Sequence, residues 1–422
     1  MRRMKDSGVE WIGEIPEEWK INFAFQLFDQ VKEKNIGLIE KNLLSLSYGK
    51  IKRKSIDTIG GLLPESFDGY NIIEADDIVL RLTDLQNDHT SLRVGLSPER
   101  GIVTSAYLTL RNKSKDCPQY LYYFLHSFDI CKGFYGMGAG VRQGLNWEGI
   151  KHLEFILPEK SEQVRIADFL DRKCAEIDAV ISKTEASIAE YKKLKQSLIT
   201  EAVTKGVRGP RPMKPSGIEW IGDIPEEWEV KVAFQVFRQV KCKNEGLVEK
   251  NLLSLSYGKI KRKSIDTIGG LLPENFDGYN IIEANDLVLR LTDLQNDHTS
   301  LRVGLSTERG IVTSAYLTLR NLSTNLPEYL YYYLHSFDVC KGFYGMGAGV
   351  RQGLNWDGLK LLKITIPSIE EQNEIVTYLK DKCASLDTLI EKKQSFITEL
   401  QSYKKSLIYE YVTGKKEVPA CR

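Results

Sequence analysis

Apolar residues recur with a three-four spacing in two stretches of the chain, and this pattern predicts two long amphipathic helices. The first seam runs through Ile166, Leu170, Cys174, Ile177, Ile181, Ile188, Tyr191, Leu194 or Lys195, Leu198 and Ala202, with a weak point at Thr184. The second runs through Ile375, Leu379, Cys383, Leu386, Ile390, Ile397, Leu400, Leu407 and Tyr411. A heptad seam of about 40 residues corresponds to roughly 60 Å of helix.

A helix with one narrow apolar stripe is not stable in water alone, so we expect the two helices to pack on each other. Antiparallel packing is favoured because the chain must enter its second half after the first helix. This arrangement would relate the two halves by an approximate two-fold axis and hold them apart. The alternative is that each helix packs against its own globular domain.

The remainder of each half reads as a mixed α/β (α+β) globular domain. Ile78–Leu82 and Ile102–Leu110 are rich in β-branched residues and predict strands, as does Ile150–Pro158. Tyr120–Phe128 predicts a short helix with an aromatic face. Ser161 is a plausible cap for the first long helix.

The two halves carry the same sequence at a constant offset of 209 positions, so that Trp11 recurs as Trp220 and Tyr48 as Tyr257. The copies barely differ from Gly37 to Asn112, whereas the long helical stretches have diverged considerably. Two matched domains suggest a protein that grips its target twice. The predicted segments are residues 1–158 (domain), 159–205 (helix), 206–213 (linker), 214–367 (domain), 368–414 (helix) and 415–422 (tail).

Composition narrows the class of protein. The 422 residues carry a net charge of +1, with no run of roughly 18 apolar residues and no signal-peptide core. Seven cysteines without a C-x-x-C pair predict free thiols in a reducing cytoplasm. Because the chain is not basic overall, any surface for nucleic acid must be local or completed by a partner.

Two features repeated in both halves suit DNA. Basic clusters of the kind that contacts phosphates lie at Lys50, Lys52, Arg53, Lys54, Lys259, Lys261, Arg262 and Lys263. A solvated charged turn is the alternative for these clusters. A second segment, repeated without a change, carries side chains that can read base edges: Arg81, Thr83, Asp84, Gln86, Asn87, His89 and Arg93, and again Arg290, Thr292, Asp293, Gln295, Asn296, His298 and Arg302. A purely structural loop is the alternative for this segment.

Catalytic motifs are weak or missing. Phe134–Gly138 imitates the F-x-G-x-G signature of adenosylmethionine methyltransferases, but no catalytic Asn/Asp-Pro-Pro-Tyr/Phe tetrapeptide follows. The nuclease-like Glu18-Trp-Lys20 becomes Glu227-Trp-Glu229, and neither a phosphate loop nor a zinc motif occurs. We expect a non-catalytic chain that binds neither metal nor cofactor. The glycine-rich loop would direct Arg142, Gln143, Arg351 and Gln352 at DNA or a partner helix.

The chain resembles the specificity subunit of type I restriction–modification systems over essentially its full length. The resemblance rests on W-I-G-x-I-P-E-x-W at Trp11–Trp19, L-R-L-T-D-L-Q-N-D at Leu80–Asp88, the glycine-rich loop running into Gly144–Trp147, and the junction Pro158–Gln163. It implies two target-recognition domains, each reading one half of a bipartite DNA site, and a spacer coiled coil. That coiled coil would dock two methyltransferase subunits, which bind adenosylmethionine and methylate adenine, and a motor-nuclease subunit would complete the system.

The family usually pairs dissimilar recognition domains, whereas here they are near-copies. Two equivalent readers related by a two-fold axis meet the same bases on opposite strands, so we predict an interrupted palindrome as the target. Two alternatives stay open at this stage. One is a non-catalytic tethering protein with two identical RNA- or peptide-binding domains, and the other is a stand-alone methyltransferase or nuclease.

Overall fold

The computed structural model describes residues 2–56, 64, 66–88, 90–137, 144–265, 275–297, 299–346 and 353–419. The chain divides into two compact units. Unit 1 consists of residues 1–184 and 395–422, and unit 2 of residues 185–394. Each unit therefore combines one globular domain, the first part of the long helix that follows it, and the last part of the other long helix.

The described residues of the unit 1 domain form twelve short strands and three short helices ahead of the first long helix. The strands are β1 (Met4–Asp6), β2 (Glu14–Pro16), β3 (Lys20–Phe23), β4 (Phe28–Gln30), β5 (Leu43–Ser47), β6 (Lys50–Lys54), β7 (Asn71–Ile73), β8 (Ile78–Leu80), β9 (Val94–Leu96), β10 (Gly101–Val103), β11 (Leu108–Asn112) and β12 (Glu154–Leu157). The helices are α1 (Ala24–Leu27), α2 (Pro118–Ile130), α3 (Trp147–Ile150) and the long α4 (Lys160–Lys205), with a 3-10 turn at Gly133–Gly136.

Unit 2 repeats the same elements. Its strands are β13 (Met213–Pro215), β14 (Asp223–Pro225), β15 (Glu229–Val232), β16 (Phe237–Gln239), β17 (Leu252–Ser256), β18 (Lys259–Lys263), β19 (Asn280–Ile282), β20 (Leu287–Leu289), β21 (Val303–Leu305), β22 (Gly310–Val312), β23 (Leu317–Asn321) and β24 (Lys363–Ile366). Its helices are α5 (Ala233–Val236), α6 (Pro327–Val339), α7 (Trp356–Leu359) and the long α8 (Ile369–Val412), with a 3-10 turn at Gly342–Gly345.

Among the described strands, each domain is built on two four-stranded sheets. In unit 1 the strand orders are β6-β5-β10-β7 and β4-β11-β8-β9, and two-stranded ribbons pair β1 with β2 and β12 with β3. The only parallel pair among the described strands of this unit joins β10 to β5, with Ile102 opposite Leu43. Unit 2 repeats both four-stranded orders. This mixture of mostly antiparallel sheets and separate helices confirms the expected α/β (α+β) class.

One predicted strand is divided in the structure. Ile102–Leu110 is not a single strand, because its two ends belong to different four-stranded sheets, as β10 and β11. A turn between them is closed by a hydrogen bond from the Tyr107 amide to the Thr104 carbonyl, at 3.0 Å. The β-branched run therefore predicted strand structure correctly at both ends, but it did not predict the turn at Thr104 that divides them.

The long helices contribute to the cores of the domains. In unit 1, Leu170 from α4 and Val412 from α8 are fully buried together with Phe124 and Phe155 of the domain. The Tyr120 hydroxyl donates to the Val412 carbonyl at 3.1 Å and to the Ile156 carbonyl at 2.8 Å. Packing of a long helix on its own domain was the alternative expectation. The structure shows such packing for α4, through Leu170.

Within each unit the two long helices run antiparallel. In unit 1 the Phe169 and Tyr411 rings lie 4.6 Å apart, and Lys404 Nζ contacts Asp178 at 2.6 Å, so residue numbers rise along α4 as they fall along α8. In unit 2 Lys195 Nζ contacts Asp387 at 2.7 Å and Lys393 Nζ lies 5.6 Å from the centre of the Tyr191 ring, so the numbers again rise along one helix as they fall along the other. The antiparallel direction predicted from the chain order is therefore observed in both units.

Most positions of the predicted heptad seam are buried, and other helix positions are buried as well, among them Ala167, Ile199, Val203, Val376 and Ile408. The buried seam positions include Ile166, Leu170, Ile177, Ile188, Ile375, Leu379, Leu386, Ile397 and Leu407, while Ile181, Leu198 and Ile390 are half-buried. At the position left open between Leu194 and Lys195, the leucine is exposed and the lysine takes the inward place through its ion pair with Asp387. At the weak point, the Thr184 hydroxyl donates back to the Val180 carbonyl at 2.8 Å, which satisfies its polar group within the helix.

The start of the first long helix differs from the prediction. α4 begins at Lys160, and the amides of Glu162 and Gln163 donate to the Glu159 carbonyl at 2.8 and 3.0 Å. Ser161 therefore lies inside the helix and is not its cap. In the second copy Ser368 Oγ accepts a hydrogen bond from the Glu371 amide at 3.3 Å, at the position that corresponds to Glu159.

Candidate DNA interface

A fully buried arginine organises the segment from Arg81 to Arg93. The Arg93 guanidinium, with no exposed side-chain surface, donates to the carbonyls of Arg81 at 3.0 Å, Thr83 at 2.9 Å and Asp84 at 3.4 Å. It also donates to the Asp88 carbonyl and, at 3.1 Å, to the Tyr135 hydroxyl. Backbone carbonyls that are removed from water need hydrogen-bond donors. The loop therefore folds around a cation that supplies these donors.

The second copy has the same frame. The Arg302 guanidinium donates to the carbonyls of Arg290 at 3.0 Å and Thr292 at 2.9 Å, and its side chain is likewise unexposed. Arg93 and Arg302 were expected among the DNA-contacting residues, and that assignment is wrong. A guanidinium with no exposed surface and a full set of backbone partners does not reach a base or a phosphate.

The other side chains of this loop point outward from the frame. Thr83, Gln86 and Asn87 are exposed, and Arg81 is 40% exposed. Asp84 has a positive φ of 56° and accepts a hydrogen bond from Asn87 Nδ2 at 2.8 Å. The buried Leu82 and Leu85 anchor the loop from below in unit 1. In unit 2 the corresponding outward residues are Arg290, Thr292, Asp293, Gln295 and Asn296.

This outward set offers donors and acceptors on a fixed backbone. Arginine, amide and hydroxyl groups at the surface are the groups that read base edges in a groove. The Asp88 carboxyl closes the loop by accepting hydrogen bonds from Ser91. These hydrogen bonds hold its pKa well below the ordinary value and keep it ionised. The exposed side chains can therefore contact bases or the DNA backbone, and the buried frame gives the loop a structural role as well.

The basic clusters lie on the exposed strands β6 and β18. Lys50, Lys52, Arg53 and Lys54 are exposed in unit 1, as are Lys259, Lys261, Arg262 and Lys263 in unit 2. Two of the eight are engaged with carboxylates of a neighbouring loop: Arg53 with Glu99, and Arg262 with Glu308, whose carboxylate lies 2.9 Å from Arg262 Nε. To contact a phosphate, these two arginines must exchange one anion for another.

Each unit buries an aspartate and a histidine on its aromatic helix: Asp129 and His126 on α2, and Asp338 and His335 on α6. Burial raises the pKa of Asp129 and Asp338 to about 6 and lowers the pKa of His126 and His335 to about 4. Asp129 Oδ2 accepts a hydrogen bond from the Arg93 amide at 2.7 Å, which links helix α2 to the end of the loop. Asp129, and Asp338 in unit 2, therefore hold the end of the loop in place from the protein side.

A polar latch joins each domain to the helix that follows it, and it was not predicted from the sequence. In unit 1 Glu162, in the first turn of α4, accepts from Arg2 Nη1 at 2.7 Å and from Trp19 Nε1 at 3.2 Å. In unit 2 the fully buried Glu371 accepts from Trp228 Nε1 at 3.0 Å and from Arg211. The sequence offered one signal for this contact: the tryptophan and the glutamate at the start of the helix occur in both copies.

Six expected contact residues lie outside the described residues: His89, Arg142, Gln143, His298, Arg351 and Gln352. Among the described residues, no group of three His, Cys, Asp or Glu side chains is arranged to hold a metal ion. In the same part of the chain, no helix has the length and apolarity that a membrane crossing needs.

The type I restriction modification DNA specificity domain matches the chain twice, at residues 31–189 and 225–399. The two matches cover more than half of the sequence and coincide with the two repeats. The chain therefore belongs to this family. It is a specificity subunit, the component of a type I restriction–modification system that recognises a bipartite DNA target and is not itself catalytic.

Relatives and solved structures agree with this family. The putative type I restriction enzyme MjaX specificity subunit of Methanocaldococcus jannaschii is 24% identical over 428 residues, which is 96% of each chain. The MjaVIII specificity subunit of the same organism is 23% identical over 422 residues, covering 96% of this chain and 94% of the relative.

Two solved structures share the fold. A chain from a structure of the type I R-M system has a TM-score of 0.69 at 14% identity, over 95% of this chain and 99% of that one. The HsdS subunit from Thermoanaerobacter tengcongensis has a TM-score of 0.50 at 13% identity, over 95% and 98% of the two chains.

Proposed function

We propose that each domain reads one half-site through its outward-facing loop, while two methyltransferase subunits dock on the long helices and methylate an adenine in each half-site. Adenosylmethionine would be bound by those subunits, and a motor-nuclease subunit would join the same complex in the cytoplasm. Residues 1–158 and 214–367 act as recognition domains in this proposal, and residues 159–205 and 368–414 as the spacer.

One observation carries the proposal: the same exposed polar set is built twice on the same buried frame. The loop from Arg81 to Asn87 recurs unchanged from Arg290 to Asn296, above Arg93 and Arg302 respectively. Helix α4 has meanwhile diverged from α8 over most of its surface. A loop with only a structural task would tolerate changes at its exposed positions, whereas base reading does not.

Identical readers predict two half-sites of the same sequence. The helix that follows one domain runs antiparallel to the helix that follows the other within each unit, which favours half-sites in opposite orientation. We therefore propose an interrupted palindrome: a short half-site, an unspecified spacer of fixed length, and the reverse complement of the half-site.

The test is a genome-wide map of methylated adenines in cells that express this chain with its methyltransferase partner. An interrupted palindrome is expected. A motif with unrelated halves would refute the palindrome, and no methylation above the level of cells without the chain would refute the proposed function. Replacing Gln86 and Asn87 by alanine should relax one half-site only, and the matched variant at Gln295 and Asn296 should relax the other.

The charge of the chain suggests how the DNA is held. With a net charge of +1 and three of its eight strand cations paired with carboxylates, the isolated chain has little electrostatic attraction for DNA. We propose that the methyltransferase subunits supply much of the affinity. A comparison of duplex binding by the isolated chain and by the assembled complex tests this, and equal affinities would refute it.

A further inference from the structure

The turn between β5 and β6 carries a tyrosine in an unfavourable backbone conformation. Tyr48 and Gly49 form a two-residue hairpin loop with φ values of 48° and 75°. Positive φ at both positions defines a type I′ turn, whose first position is normally Asn, Asp or Gly. Tyr257 and Gly258 repeat it, with φ values of 47° and 75°. A bulky residue with positive φ is uncommon, so its presence in both copies calls for a reason beyond the turn.

The two tyrosine side chains project into solvent. Tyr48 is 75% exposed and Tyr257 is 77% exposed, more than any other large hydrophobic side chain among the described residues. An aromatic ring left in water gains nothing from the hydrophobic effect in the free protein. The ring therefore contributes little to folding, while its backbone conformation has a cost.

The tip is held rigidly beside the proposed reading loop. A Cβ atom added at Gly49 would lie 3.1 Å from Leu92 Cβ, and one at Gly258 would lie 3.2 Å from Leu301 Cβ. This close approach is possible because the residue is glycine. Leu92 immediately precedes Arg93, the buried cation that frames the loop. Each hairpin tip is thus packed beside the arginine that frames the proposed reading loop.

The strand that leaves the tip supplies positive charge. Lys52 and Lys54 are exposed on β6, and Lys261 and Lys263 on β18. A fixed, exposed aromatic ring next to cations that suit phosphates is the combination by which proteins stack on nucleobases. The lysines on the strand that leaves the ring favour a nucleic acid over a protein partner or a membrane surface.

We propose that Tyr48 and Tyr257 contact DNA, each stacking on a base face of its half-site. The inference rests on the proposed function, because adenine methylation requires the target base to leave the duplex stack. The departing base uncovers the faces of its neighbours, and an aromatic side chain can cover such a face. The lysines of the strand hold the adjacent phosphates.

A structural role for the tip is the competing explanation. In unit 1 Lys50 Nζ lies 3.3 Å from Asp178 of α4, and Tyr48 lines a groove that α4 also lines through Asp171 and Cys174. If the ring braced the helix, its loss would lower the stability of the protein. If it stacks on DNA, its loss would lower DNA affinity alone.

The experiment uses Tyr48→Asn with Tyr257→Asn, in the full chain assembled with its methyltransferase subunits. Asparagine suits positive φ, so the melting temperature should stay the same or rise. Affinity for a duplex containing the mapped motif should fall by about 5- to 150-fold per tyrosine, the range for base–aromatic stacking. The Phe variants keep the ring and should bind as the natural protein does.

Salt dependence separates the ring from the lysines. The tyrosines carry no charge, so the Asn variants should leave the slope of log affinity against log salt unchanged. Lys52→Gln with Lys261→Gln should reduce that slope, by about one for each phosphate that a lysine no longer neutralises.

Each further outcome has a defined meaning. If the natural complex binds the motif and the Asn variants bind equally well, the tyrosine inference is overturned and the proposed function stands. If the melting temperature falls together with the affinity, the ring is a brace and the inference is again overturned. If the natural complex neither binds nor methylates DNA, the proposed function itself fails.

Discussion

Replacement of the buried arginine at the centre of the loop is the sharpest test of how the candidate interface is built. In Arg93→Met the side chain keeps its apolar stem but loses the donors that serve the carbonyls of Arg81, Thr83 and Asp88. Each buried acceptor left unsatisfied costs about 1–3 kcal/mol. Because three acceptors lose their donor, unit 1 should be destabilised by at least about 3 kcal/mol.

The assay is urea unfolding followed by intrinsic tryptophan fluorescence, with Arg302→Met as the equivalent change in unit 2. Because the chain has two units, unfolding need not be two-state, and each variant should shift the transition of its own unit. Arg93→Lys should recover only part of the loss, because an ammonium group cannot reproduce the fork of a guanidinium.

Arg81→Met is the matched control, since it removes an arginine from the same loop at a position that is 40% exposed. Its effect on stability should stay within about 0.5 kcal/mol, while recognition of one half-site is reduced. The reasoning would be refuted if Arg93→Met destabilised the protein by no more than this control does.

The remaining predictions concern two buried titratable groups, Asp129 and His126, and the helix seam. Since the folded pKa of Asp129 is raised to about 6, the contribution of Asp129 to stability falls as pH rises from 4 to 6. The folded pKa of His126 is lowered to about 4, so the contribution of His126 to stability rises with pH up to about pH 6.5. The two largely cancel, so Asp129→Asn should make stability increase with pH across this window, and a flat denaturation profile would contradict the assignment. Leu407→Ala should cost about 2–5 kcal/mol because the side chain is buried, whereas exposed Leu194→Ala should cost less than about 0.5 kcal/mol in parallel thermal melts.

Periodicity and repetition were enough to predict much of this protein. The heptad spacing identified the buried face of both long helices, because a helix of 3.6 residues per turn brings every third or fourth residue to one side. The constant offset between the copies predicted two equivalent domains, because the same sequence folds the same way twice. The motifs near Trp11, Leu80 and Pro158 were enough to predict the family, which the matches to both repeats confirm.

Tertiary structure decided which residues of the repeated loop can meet a ligand. Sequence treats Arg81 and Arg93 alike, as two arginines at the ends of one polar segment. Their difference arises because the backbone of the loop curls so that its carbonyls converge on Arg93, and convergence of distant carbonyls leaves no local signal in the sequence. The division of Ile102–Leu110 between two sheets has the same origin, since only the packed domain determines the partner of each strand. Local periodicity therefore predicted the elements, while the burial of individual polar side chains depended on contacts between segments far apart in the chain.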